Sequence, residues 1–172
     1  IVSGMGVGLT YMFTGSGSNS VLDYQIDRFQ LGVSGRATGV ATDILEVSST
    51  YQLSGALTAA EYGTGSNLFI DTRPQIINST TVNSAAALIP ANKRTKIADS
   101  SVRYTLVVDE EACNGIDRHG DDFHNSINEV GLLMKNPTGS SVDAPILVAY
   151  RSFSNIAKTS DFSLIFRWTL NF

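Results

Sequence analysis

The last eleven residues, Phe162 to Phe172, constrain the fold more than any other stretch, because they read F-S-L-I-F-R-W-T-L-N-F. Phe162, Leu164, Phe166, Trp168, Leu170 and Phe172 share one parity. Ser163, Arg167, Thr169 and Asn171 take the other, with Ile165 the one apolar intruder. Successive side chains of a strand point to opposite faces, so this alternation predicts a single β-strand with an apolar and a polar face. Such a strand is not stable alone. It needs hydrogen-bonded neighbours at its edges and a second layer over its apolar face.

Other stretches supply the neighbours. Between Tyr24 and Gly35, Phe29, Leu31 and Val33 alternate with Arg28, Gln30 and Gly32. From Ser101 to Asp109, Val102, Tyr104, Leu106 and Val108 face one way and Arg103, Thr105 and Val107 the other. Ile127 to Lys135 is a strand with Val130, Leu132 and Met134 on one parity, and Pro145 to Phe153 one with Ile146, Val148 and Tyr150 inward. Weaker strand patterns lie over Val7–Phe13, Ser48–Leu53 and Leu68–Asp71, the last ended by Arg73-Pro74 because the residue before proline avoids the helical region. Thr58 and Glu61 have capping-box spacing and Gly63 follows, which predicts one short surface helix near 59–62. Strands joined by turns pair antiparallel. The expected fold is mainly β: an antiparallel two-layer β-sandwich, jelly-roll-like, with one short helix and long loops, in a single domain over 1–172. A Gly-rich N-terminal segment (1–20) and a Ser/Thr/Asn-rich excursion (76–100) are expected to be irregular, partner-facing arms.

Charged residues make up 16% of the chain, against about 25% in ordinary domains, and Ser, Thr, Asn and Gly fill the difference. A surface built from hydroxyls and amides suits wide contact with other protein. The net charge is −4 and no basic run exceeds Lys93-Arg94, so nucleic-acid binding has no electrostatic footprint. No stretch approaches the ~20 apolar residues of a membrane helix. Ile1-Val2-Ser3-Gly4 has no initiator Met and no basic region, and is expected to be a processed N-terminus rather than a signal peptide.

Few residues offer chemistry. Cys113, the one cysteine, excludes an internal disulfide and reads as a small buried hydrophobe rather than a catalytic thiol. Asp117-Arg118-His119-Gly120-Asp121-Asp122-Phe123-His124 gathers both histidines with three aspartates, and His119, Asp121 and His124 are metal-ligand types. Their spacing matches no zinc helix and no EF-hand, so a solvated loop is the preferred reading. Gly4-Met5-Gly6-Val7-Gly8 does not match a dinucleotide fingerprint, and there is no G-x-S-x-G. Asp109-Glu110-Glu111 reads as a solvated corner, and Asn78-Ser79-Thr80 as a chance glycosylation sequon. No catalytic, cofactor or metal residue is assigned.

Five stretches carry a likeness: Asp27 to Ser34, ending L-G-V-S; Ala112-Cys113-Asn114-Gly115-Ile116; Ile127-Asn128-Glu129-Val130-Gly131-Leu132-Leu133; Ile146-Leu147-Val148-Ala149-Tyr150-Arg151; and Lys158-Thr159-Ser160-Asp161-Phe162-Ser163-Leu164. Together they resemble structural proteins of tailed bacteriophages, most nearly the attachment domain of tail-collar fibre proteins. The segment 36–100 is longer than that pattern, and the histidine loop is an insertion in it. The resemblance implies a non-enzymatic virion protein of the tail, neck, baseplate or capsid decoration. Its partners would be other virion proteins and copies of itself, as a homo-oligomer within the particle, with no nucleic acid, membrane or cofactor. Gly131, inside a strand, implies close approach by a large side chain, for which Trp168 or a neighbouring aromatic is the expected partner. The alternatives are a lectin-like carbohydrate-binding β-sandwich and a metal-dependent hydrolase resting on His119, Asp121 and His124.

Overall fold

A computed structural model describes residues 1–14, 24–35, 52–53, 55–63, 68–74, 83–116, 126–135 and 145–172. The histidine loop, the sequon at Asn78 and residues 48–51 of the Ser48–Leu53 strand pattern lie outside these residues. Ten elements run in the order α1 (Gly4–Thr14), β1 (Ile26–Gly32), α2 (Ala59–Tyr62), β2 (Leu68–Pro74), β3 (Asn83–Leu88), β4 (Arg94–Ala98), β5 (Ser101–Val108), β6 (Ile127–Met134), β7 (Ile146–Ile156) and β8 (Leu164–Asn171), with a 3-10 turn at Ala91–Lys93. They form two antiparallel sheets, one of five strands in the order β2-β3-β1-β6-β7 and one of three in the order β4-β5-β8. The mainly-β, two-sheet architecture is the one the alternating stretches predict.

The core between the sheets joins Phe29, Leu31 and Val33 of the β1 region and Val130, Leu132 and Met134 of β6 to Tyr104, Leu106 and Val108 of β5 and Leu170 of β8. Leu164, Phe166 and Trp168 pack half-buried against it. The C-terminal strand therefore uses the expected face, but it is shorter than its sequence pattern. Phe162 and Phe172, at either end of the apolar stripe, are exposed.

A second apolar cluster covers the opposite face of the five-stranded sheet, with Val2, Leu53, Ala56, Ala86, Leu133, Leu147 and Tyr150. The central strands β1 and β6 are consequently buried on both faces. Arg28 and Gln30, which sequence parity places on a polar face, are buried too. Arg28 sits 3.7 Å above the ring of Phe69 and bonds Asp27 at 3.2 Å. Lys135 supplies a second cation to Asp27 at 3.4 Å.

Four expectations are corrected. The segment expected to be a strand over Val7–Phe13 belongs to helix α1. Glycines at 4 and 8 lie one turn apart on one helix face, and that face meets the sheet. A Cβ on Gly4 would strike the Leu147 carbonyl, and one on Gly8 the Met134 sulfur. Gly4 and Gly8 are thus a packing surface. Second, much of the excursion over 76–100 is regular, because residues 83–98 supply β3, the 3-10 turn and β4. Strand β3 hides its period because Ala85 and Ala86, on opposite faces of the strand, are both fully buried, so neither face is polar. Strand β4 is exposed from Thr95 to Ala98 and offers no apolar alternation.

Third, Tyr150 is not on the face of Ile146 and Val148. The β6–β7 register pairs Leu132 with Ala149 but Leu133 with Leu147, leaving Val148 as an extra residue. This bulge reverses the parity beyond it, and Tyr150 joins the second cluster. Fourth, Gly131 is not approached by Trp168. A Cβ there would lie 2.6 Å from the terminal methyls of both Leu147 and Leu53.

Candidate functional site

Two buried polar knots fix the loops at one end of the sandwich, and both use residues of the stretches that resemble phage proteins. Glu129, fully buried on β6, accepts the backbone N–H groups of Ser34 (3.3 Å) and Gly55 (3.0 Å) on Oε1 and the Tyr150 hydroxyl (3.1 Å) on Oε2. Its carboxyl fills the space a side chain on Gly32 would need. The neighbouring Asn128 accepts the Gly35 N–H at 2.7 Å and donates to the Val33 carbonyl and to Asn155. Buried polar groups are tolerated when their hydrogen bonds are made, and here they hold two loops and the end of β7 to one strand.

The second knot is Lys158. Its buried ammonium donates to the Glu110 carbonyl (3.0 Å), Asn114 Oδ1 (2.9 Å) and the Thr159 carbonyl (2.6 Å), and lies 5.5 Å from the Phe162 ring centroid. Asn114 in turn donates to the Glu110 carbonyl. The β7–β8 connection is thereby bound to the turn that follows β5.

That turn also holds Cys113, whose φ of 60° is left-handed and whose N–H donates to the Tyr62 carbonyl at 2.8 Å. Burial pushes its thiol up to about 12, against a smaller opposing pull from Lys158. A thiol held protonated is a poor nucleophile, so the residue behaves as the buried hydrophobe its sequence context predicts.

Tyr62 is placed by an unusual route. Residues 55–58 run as a strap beside β1, with Leu57 donating to the Leu31 carbonyl (2.8 Å) and accepting from Ala85 (2.7 Å). The strap ends in the expected capping box: Thr58 N–H donates to Glu61 Oε2 at 2.8 Å, and Glu61 N–H to Thr58 Oγ1 at 3.3 Å. One helical turn later Tyr62 enters the core edge-on to Phe29, with ring centroids 6.5 Å apart. Its side chain is buried, yet among the described residues its hydroxyl has no hydrogen-bond partner. Tyr62 lines a cleft of about 830 Å3 together with Lys93, Asp109, Glu110 and Glu111. The acidic run is exposed at the end of β5, as the sequence predicts for a solvated corner, and it also lines this cleft. Among the described residues, no group of His, Cys, Asp and Glu side chains is placed to hold a metal ion, and His119, Asp121 and His124 lie outside them.

The sheet edges form the second candidate surface. The four edge strands are β2 and β7 in one sheet and β4 and β8 in the other. β2 carries a register shift before Pro74, β4 one around Ile97, and β7 two against β6. Such bulges and prolines blunt an edge against pairing with another chain. β8 has neither. Its register with β5 runs unbroken from Val108↔Leu164 to Ser101↔Asn171. Arg167 is its one charge, and Ile165 is 54% exposed on its outer face. Among the described residues, no hydrogen bond or ion pair engages the Arg103 or Arg167 side chain beside it.

Among the described residues, fold and surfaces define a two-sheet antiparallel β protein whose β8 edge carries no bulge or proline, with a cleft lined in part by acids. No family model, curated protein or solved structure matches the chain.

Proposed function

We propose that this chain is a non-enzymatic structural protein of a tailed-phage particle, acting by protein–protein assembly with other virion proteins and with copies of itself. The observation that carries the assembly part is β8. A regular eight-residue edge strand with no bulge, no proline and one charge is a template for strand addition, and natural proteins leave such an edge open where a partner covers it. The phage context rests on the sequence resemblance. Glu129, Asn114 and Lys158, from the resembling stretches, are also the residues that clamp the fold. A lectin-type reading has less support, since Trp168 packs against the core rather than standing on an open face.

The test is sedimentation of intact particles from a lysate in which the chain is tagged. The tagged chain is expected to co-migrate with particles, and Ile165→Lys, which alters an exposed side chain, to fold normally but leave the particle fraction. A wild-type chain that stays wholly in the soluble fraction would contradict the proposal.

A further inference from the structure

The register of β8 carries information about what can pair with it. The Phe172 N–H donates to the Ser100 carbonyl, and Asn171 lies opposite Ser101. In an antiparallel ladder the hydrogen-bonding side alternates residue by residue, so Leu164, Phe166, Trp168, Leu170 and Phe172 direct their backbone groups to β5. Ile165, Arg167, Thr169 and Asn171 direct theirs to the open side, where among the described residues no strand meets them. The side chains along that side are also incompletely covered. The rings of Phe166 and of Phe153 on β7 lie 5.5 Å apart, so the two edge strands flank one side of the sandwich. Phe153, Leu164, Phe166 and Trp168 are half-buried there, and Phe172 is 64% exposed at its end.

We propose that this edge pairs with β8 of a second copy, antiparallel, about a two-fold axis at Trp168, joining the two three-stranded sheets edge to edge. The proposal rests on reading β8 as an assembly edge, and names what covers it. A two-fold axis normal to the sheet keeps inward side chains inward, so it must centre on a residue facing its own copy. At Arg167 it would set two guanidiniums face to face, and like charges directly opposite are destabilising. At Phe166 it leaves Thr169 to Phe172 without strand partners, and at Thr169 it leaves Leu164 and Ile165 so. At Trp168 every residue from Leu164 to Phe172 is paired. Ile165 then exchanges backbone hydrogen bonds with Asn171 of the second copy, and Arg167 with Thr169, which uses all four outward residues. On the inner face Phe172 meets Leu164 of the second copy and the two Trp168 side chains meet each other, so the half-buried stripes close over a shared core. A contact confined to one edge and its flanking aromatics is of the small class, so the copies pair when concentrated and part at micromolar dilution.

Sedimentation equilibrium of the full chain from micromolar to millimolar concentration is expected to show a reversible monomer–dimer step. Cysteines read the register. Arg167→Cys chains mixed with Thr169→Cys chains under mild oxidation are expected to form the mixed disulfide many-fold faster than either variant forms its own. Opposite Cα atoms sit about 5.5 Å apart, within disulfide reach, whereas identical residues lie on a diagonal of about 7–8 Å. The native Cys113 is buried and does not compete. Thr169→Lys, which puts a second cation opposite Arg167, is expected to weaken the dimer several-fold, and Thr169→Glu to tighten it by a similar factor. No dimer at millimolar concentration, equal cross-linking by the single variants, or a dimer indifferent to both charges would overturn the proposal. A monomer whose β8 amides still become protected in particles would end self-pairing and leave the assembly reading standing. A dimer absent from every particle fraction would support self-pairing and end the virion reading alone.

Discussion

The Tyr150 hydroxyl donates to the Glu129 carboxyl at 3.1 Å between neighbouring strands, and the opposite oxygen of the same carboxyl receives the backbone of two separate loops. One buried side chain thus replaces what loops of this kind lack, a ladder of their own. Glu129→Ala removes an acceptor that three donors share and is expected to lower unfolding stability by about 3 kcal/mol. Tyr150→Phe removes one bond and is expected to cost about 1 kcal/mol. Urea denaturation of the two variants checks the order; equal losses would show that the backbone contacts contribute nothing.

Gly131 gives a second expectation. A methyl placed on it meets the tips of Leu147 and Leu53 at 2.6 Å each, so Gly131→Ala is expected to cost about 1–3 kcal/mol by overpacking. Adding Leu53→Ala opens the space. The double variant is then expected to be more stable than the sum of the two single losses allows, a coupling that thermal or urea unfolding reads directly.

Cys113 sets a pH dependence. Its folded pKa is raised from 9.0 to about 12, so folding holds a proton that the unfolded chain releases. Its contribution is fully present below pH 9 and is lost as pH climbs from there towards 12. Between pH 9 and 10 the slope is expected to approach ~1.4 kcal/mol per pH unit. Cys113→Ala is expected to remove that part of the slope, visible as converging denaturation midpoints of variant and wild type at pH 8, 9 and 10. A thiol reagent at pH 8 is expected to label the folded wild type far more slowly than the urea-unfolded chain.

Lys158 supplies the fourth. Lys158→Met keeps the length of the stem but strips donors from Asn114 and from the carbonyls of Glu110 and Thr159. The expected loss is about 2–3 kcal/mol, with faster amide exchange confined first to the two segments it joins, 110–114 and 158–162.

How far the sequence announces all this depends on which faces water touches. β5 and the central part of β8 alternate cleanly because one side of the three-stranded sheet is open, and both are legible. β3 is not, since Ala85 and Ala86 are buried on either side of the strand and leave no polar parity. Helix α1 is misread because Val7, Leu9, Tyr11 and Phe13 alternate as a strand would, and the spacing of Gly4 and Gly8 matters only once a helix presses them on Leu147 and Met134. A one-residue bulge at Val148 is enough to turn Tyr150 over. At the cleft, Asp109, Glu110 and Glu111 are visible as a run of acids, but Tyr62 is not visible as their companion. The two meet because the Cys113 N–H donates to the Tyr62 carbonyl, a bond between segments far apart in the chain.

The central claim is that β8 is an edge kept open for a partner strand. Hydrogen exchange of the β8 amides, measured in the isolated chain and again in assembled particles, tests it most directly. The outward-facing amides between Leu164 and Asn171 are expected to exchange rapidly in the free chain and to become strongly protected on assembly. Equal exchange in the two states would contradict the account.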